Sequence, residues 1–119
     1  MPHLVLECSK NIHTVFGYTQ FFKQAQHIVS EGLPAQLSSC KSRVYIADGV
    51  YIGDGSTKNA FACLTVKLVA GHSEQTKEKV GKQLLQLMET FFANHRQKLA
   101  IQFTVEMVDL QASYFKIDW

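Results

Sequence analysis

Only two prolines and seven glycines punctuate the 119 residues, too few for a low-complexity or disordered chain. Charge is scarce as well: charged residues make up 18% and balance to a formal +2 at pH 7. That balance gives no global footprint for nucleic acid, whose binders usually carry a clustered basic stripe. No run approaches the ~20 apolar residues of a membrane span. The opening stretch MPHLVLECSKN has no basic segment and carries Glu7 too early for a signal peptide. Cys8, Cys40 and Cys63 are odd in number and widely spaced, without a CxxC pair, which fits small buried hydrophobes in a reducing compartment. The expectation is a cytoplasmic protein that binds neither membrane nor nucleic acid.

Common catalytic motifs are absent too. There is no GxSxG, Walker loop, HExxH or dinucleotide fingerprint. Gly53-Asp54-Gly55-Ser56 lacks the GK[ST]-helix context of a phosphate loop and reads as a hairpin turn. His3, His13, His27, His72 and His95 show no HxxH or HxxxH spacing, so no metal is expected.

What is present is apolar pattern. Hydrophobic residues reach 46%, and a single domain of this length buries roughly two-thirds of the surface of its unfolded chain. Pro2 to Glu7 alternates as a strand. Ser9 stands where an N-cap belongs. Ile12, Val15, Phe16, Thr19, Phe22, Ala25 and Val29 then recur at three and four, predicting a helix over about residues 10–31 that Gly32 and Pro34 end. A β-rich run from Arg43 to Ile52 follows, with Gly49 inside it marking a bulge or bend. Ala60 to Val69 is nearly continuous in apolar residues and reads as a central strand buried on both faces. Ser73 and Glu74 open a second helix with the stripe Val80, Leu84, Leu87, Met88, Phe91 and His95. Leu99 to Val108 alternates as a last strand.

Both halves therefore run strand, serine cap, helix of about 22 residues, strand. Each is a βαβ unit with parallel strands. The chain 1–119 reads as a single α/β domain of two units, about 2–52 and 59–108, with a C-terminal tail over 109–119. Two units side by side give a four-stranded mixed sheet with two helices on one face. The apolar side chains of the other face (Val44 or Tyr45, Leu64 or Thr65, Ile101 or Gln102, depending on register) then call for sheet-to-sheet packing in an oligomer.

Chemistry concentrates at the N-terminus. Met1-Pro2 is a sequence that aminopeptidases trim, which would leave Pro2 a free secondary amine at the tip of a strand. An α-amine titrates near about 8; burial and nearby cations lower that toward about 7, where a neutral nitrogen serves as a general base. The ring fixes φ and so aims the lone pair. Lys41 and Arg43, two residues apart, leave a strand on one face and can grip a carboxylate together. His72, in Ala70-Gly71-His72-Ser73, sits on the loop feeding a helix N-terminus, where free N–H groups attract anions.

Met1-Pro2-His3, Glu7-Cys8-Ser9, Asn11-Ile12, Ser42-Arg43-Val44, Asp54-Gly55, Ala60-Phe61, Thr65, Lys67, Ala70-Gly71, Ser73, Gly81, Leu84, Leu87, Thr90 and Phe92-Ala93 resemble the 5-carboxymethyl-2-hydroxymuconate Δ-isomerase family of the tautomerase superfamily. The resemblance implies a tandem βαβ tautomerase-type fold assembled as a homotrimer. It also implies an N-terminal proline base that moves a proton on an enolic acid from aromatic degradation, with cations holding the carboxylates and no cofactor. In the second half the place matching Pro2, near Asn59, is an internal amide, so a trimer would carry three sites. Lys41 and His72 stand where the family has arginine, whereas Arg43 matches. Lysine loses the bidentate fork and histidine is neutral above its pKa. The altered clamp leaves two alternatives: another tautomerase-superfamily activity such as phenylpyruvate tautomerisation, or a non-catalytic oligomeric binding protein of the same fold.

Overall fold

The computed structural model describes residues 2–12 and 17–119. Leu4, Leu6 and Cys8 alternate with His3, Val5 and Glu7 along β1 (His3–Ser9), and only the first set is fully buried. The same period of two shapes β2 (Lys41–Ala47), β3 (Asn59–Leu68) and β4 (Ala100–Asp109). Helix α1 (Tyr18–Gly32) lies between β1 and β2 in the chain, and α2 (Glu74–Phe91) between β3 and β4. The strands are ordered β2-β1-β3-β4. β1 runs parallel to β2 and β3 parallel to β4, while β1 and β3 pair antiparallel at the centre.

Register decides the faces. Val44 and Leu64 both pair with Leu6, and Ile101 pairs with Ala60. These three therefore join the face carrying Leu4, Ala62 and Val66, against which Phe21, Ala25 and Val29 of α1 and Val80, Leu84 and Met88 of α2 pack. Each fully buried leucine there is worth about 1.5–3 kcal/mol over an exposed one. Phe21, Phe91 and Phe92 close one end of this core, with Phe91 and Phe92 edge to face at 4.9 Å. Tyr45, Thr65 and Gln102 fall on the opposite, open face beside Val5, Phe61, Cys63 and Val108. That face mixes apolar and polar groups, and no helix among the described residues covers it.

Several boundaries differ from the sequence expectation. Helix α1 begins at Tyr18 rather than residue 10, and its N-cap, Gly17, has no side chain to accept a bond. Met1, His13, Val15 and Phe16 lie outside the described residues. Ser9 does not cap a helix. It is buried at the end of β1, where its hydroxyl accepts from the Phe61 N–H at 3.1 Å and donates to Asn11 Oδ1 at 2.7 Å. Asn11 in turn donates to the carbonyls of Asn59 (2.8 Å) and Thr57 (3.2 Å). A serine before a polar turn looks the same whether it caps a helix or ties two strands.

β2 starts at Lys41 and stops at Ala47, and Gly49 lies in the bend beyond it rather than inside the strand. The turn at Gly53 and Gly55 forms, with φ of 58° and 83° and Asp54 Oδ1 accepting from the Ser56 N–H at 3.0 Å. It is no hairpin, because β2 and β3 are not neighbours and the connection passes over the end of β1. β3 is central, yet only its helix-facing side is fully buried in the chain. Helix α2 has 18 residues and a short 3-10 turn, Ala93–His95, continues it. Its expected cap is in place, with Ser73 Oγ accepting from the Thr76 N–H at 3.1 Å. Of the cysteines only Cys8 is buried; Cys40 and Cys63 are half-buried.

Ser9→Ala leaves the part-buried Phe61 N–H without its hydroxyl acceptor, so it is expected to cost about 1 kcal/mol. Urea unfolding of the two proteins measures this; equal midpoints would show that the hydroxyl is dispensable.

Candidate active site

Pro2 is buried immediately before β1. Its carbonyl accepts from the Lys41 N–H at 3.0 Å, so the first described residue is pinned to the start of β2. The neighbouring strands then dictate what surrounds it. His3 pairs with Lys41 on one side and Lys67 on the other, and Val5 pairs with Arg43. Paired residues share a face, and residues two apart do too. His3, Lys41, Arg43 and Lys67 thus stand together on the open face of the sheet, at the end where Pro2 lies.

Arg43 Nη1 donates to His3 Nδ1 at 3.2 Å, and His3 Nε2 lies 2.8 Å from the Tyr114 hydroxyl. Lys41 Nζ donates to the Ser39 carbonyl at 3.2 Å. Burial, then the charges of Arg43, Lys41 and Lys67, lower the His3 pKa below its ordinary 6.5. The cluster is cationic enough to disfavour another positive charge nearby. Among the described residues no carboxylate forms an ion pair with Lys41, Arg43 or Lys67.

Of the four candidates read from sequence, Lys41 and Arg43 share the open face by the β1–β2 register, and Pro2 is tied to Lys41 through the backbone at the same end of the sheet. His72 is half-buried on the segment after β3, just before the Ser73 cap. β3 ends opposite the start of β1, so His72 leaves from the Pro2 end of the sheet. Among the described residues, however, no hydrogen bond ties it to Pro2, Lys41 or Arg43.

Three residues of the cluster escaped the sequence reading. His3 looked like one position of an alternating strand, and Lys67 like an interruption of an apolar run. An antiparallel alignment of the first and third strands would have paired them. Tyr114 is 111 positions from His3, and nothing local announces their contact.

Other features lack these traits. Burial pushes the Cys8 thiol up to about 11, which makes it a poor nucleophile. Among the described residues no three His, Cys, Asp or Glu side chains are grouped to hold a metal ion. No helix among them is long and apolar enough to cross a membrane. A cavity lined by Phe92, Leu99, Ile101 and Phe103 lies toward the start of β4, at the end of the sheet away from Pro2.

Comparison with known proteins agrees with the placement of these elements. A model of the 5-carboxymethyl-2-hydroxymuconate isomerase family matches residues 2–117. A 5-carboxymethyl-2-hydroxymuconate Delta-isomerase from Escherichia coli is 30% identical over 108 residues, which cover 89% of this chain and 86% of that one. Among solved structures, a 5-carboxymethyl-2-hydroxymuconate isomerase from Deinococcus radiodurans R1 aligns with a TM-score of 0.84 at 20% identity. That alignment covers 98% of this chain and 89% of the other. A fused 4-OT described as a wild-type symmetric trimer aligns at 0.72 and 21% identity, over 97% and 90% of the two chains. At these identities the two structures speak for the fold.

The lowered His3 pKa sets a pH dependence. Between 6.5 and the lower native value, the unfolded chain binds a proton at His3 that the folded chain refuses. Stability is therefore highest above pH 6.5 and declines as pH falls through that window. His3→Phe is expected to flatten the decline in a series of denaturation curves taken from neutral pH downward. The same slope in both proteins would contradict the assignment.

Proposed function

The chain belongs to the 5-carboxymethyl-2-hydroxymuconate isomerase family, and on that premise we propose that its base is the amine of Pro2, freed by removal of Met1. The neutral nitrogen takes a proton from an acidic position of an enolic carboxylic acid. It then returns the proton to carbon elsewhere along the conjugated chain. Double bonds shift, and nothing is oxidised or reduced, so the reading needs no cofactor. The substrate is a small dienol acid of the kind that aromatic ring cleavage yields, met in the cytoplasm.

The surrounding cations have two roles in this reading. They disfavour protonation of the amine, lowering its pKa from the ordinary range. They also stabilise the negative charge that spreads onto the substrate as the proton leaves. Arg43 offers a bidentate fork to one carboxylate, and Lys41 adds a point charge. His72, closer to the loop, is the weaker partner for a far carboxylate. Because only the first βαβ unit owns a chain terminus, each copy has one such site. Assembly as a homotrimer would cover the open sheet face and give three.

The observation that carries the reading is the pinned, buried Pro2 (its carbonyl 3.0 Å from the Lys41 nitrogen) at the end of a sheet where Lys41, Arg43 and Lys67 gather. The altered clamp favours one variant of it, a substrate with a single carboxylate, and turnover of mono- against dicarboxylic enols separates the two. Pro2→Ala is expected to lower kcat/KM by about 10²–10⁴-fold in an ultraviolet assay on an enolic acid. Intact mass should show that the active wild-type protein lacks Met1. Full activity of the variant, or of a chain that keeps Met1, would contradict the proposal.

A further inference from the structure

The C-terminal tail returns to the N-terminus. Beyond β4 the Leu110 N–H donates to the Leu68 carbonyl at 2.7 Å, which holds the tail at the Pro2 end of the sheet. A few residues on, the rings of Tyr114 and His3 meet edge to face, with centroids 6.0 Å apart and planes at 81°. The Tyr114 hydroxyl lies 2.8 Å from His3 Nε2, while the other ring nitrogen, Nδ1, faces Arg43 Nη1 at 3.2 Å.

These two contacts fix the state of the imidazole. A guanidinium has only donors, so Nδ1 must be the bare, accepting nitrogen. The single ring proton is then on Nε2, which donates to the Tyr114 oxygen. We propose that His3 and Tyr114 are positioning residues for Arg43, forming a relay from guanidinium to imidazole to phenol that fixes one arm of the fork and leaves the others for a substrate carboxylate. The proposal rests on the reading of Arg43 as a carboxylate clamp.

The surroundings make the relay necessary. Arg43 is a long, flexible side chain, and among the described residues no ion pair restrains it. A carboxylate in the place of His3 would neutralise the cation and compete with the substrate, whereas a neutral imidazole orients it and keeps its charge. Among the described residues the groups facing His3 are Arg43 and Lys41 from β2, Lys67 from β3 and Tyr114 from the tail, and the terminal amine adds a further positive charge. Three are cations that oppose protonation of the ring. If His3 takes up a proton, Nδ1 acquires a hydrogen aimed at a guanidinium that cannot accept it, and the relay breaks. Carboxylate binding then weakens on acidification, separately from the loss of kcat that protonation of the Pro2 amine brings.

The test uses the full chain in two arms. In the first, ¹⁵N-histidine spectra of the substrate-free protein at neutral pH report the tautomer. The expected state of His3 is protonated at Nε2 and bare at Nδ1, and the Nδ1–H tautomer would overturn the proposal. This arm needs no turnover, so it decides the relay whatever the substrate proves to be.

The second arm measures kcat and KM with 5-carboxymethyl-2-hydroxymuconate from about pH 5 to pH 8 for wild type, His3→Asn, His3→Phe, Tyr114→Phe and Arg43→Ala. His3→Asn can place an acceptor oxygen where Nδ1 was, whereas His3→Phe removes it. The expected KM is about tenfold higher in His3→Phe, near wild type in His3→Asn and intermediate in Tyr114→Phe, with kcat changed less than about threefold. The wild-type KM should rise on acidification and that of His3→Asn should not. A KM unchanged in His3→Phe but raised in Arg43→Ala overturns the relay and spares the clamp. A KM unchanged in Arg43→Ala removes the clamp, and the relay with it.

Discussion

The antiparallel ladder between β1 and β3, from His3 opposite Lys67 to Cys8 opposite Ala62, sits at the centre of the sheet and sets the face of every strand beside it. A slip of one residue would send Leu4, Leu6 and Cys8 to the open face and His3 into the core. The cost of exposing those side chains, and of burying an imidazole among apolar groups, makes that slip prohibitive. The same ladder joins the two βαβ units, which also meet through α1 against α2. Its far end is tied by Ser9 and Asn11 to the first residues of β3. Its near end leaves Pro2 between the start of β2 and the end of β3.

Function follows from what that geometry puts on the face without helices. The chain has little charge in total, yet Lys41, Arg43 and Lys67 are delivered to one corner by the register. None of them has a carboxylate partner among the described residues. Unbalanced cations in one place raise the free energy of any further positive charge nearby, and they attract anions. For a terminal amine the first effect favours the basic, neutral form; for a dienol acid the second favours binding. One arrangement thus supplies both requirements of acid–base chemistry on a carboxylate-bearing substrate, and it is why a cluster that weakens the fold on acidification also fits the proposed reaction.

Much of this was legible in the residues alone, and the exceptions have physical reasons. Alternation along β1 and β4, the Ser73 cap and the Val80–Leu84–Met88 stripe are local patterns, and they specify local structure. The pairing of Lys41 and Arg43 on one face needed only a period of two. Ser9 misled because a hydroxyl bonds equally well to a helix N-terminus or to a neighbouring strand, and only the tertiary context chooses. The turn after Ile52 was legible as a turn but not as a crossover, since strand order is not written in turn chemistry. His3, Lys67 and Tyr114 meet through long-range pairing. The cluster therefore became visible only when strand register was known, whereas its anchor, Pro2, stood out from the first two residues.

The central claim is that Pro2 carries a free amine whose basicity the neighbouring cations hold down. The chain has two prolines, Pro2 and Pro34, so ¹⁵N-proline labelling gives two signals, of which Pro34 is an internal amide. A pH titration followed by direct ¹⁵N detection should show one signal that does not move and one that titrates below the ordinary range of a prolyl amine. Two signals that never titrate, or an amine that titrates at its ordinary value or above, would contradict the account.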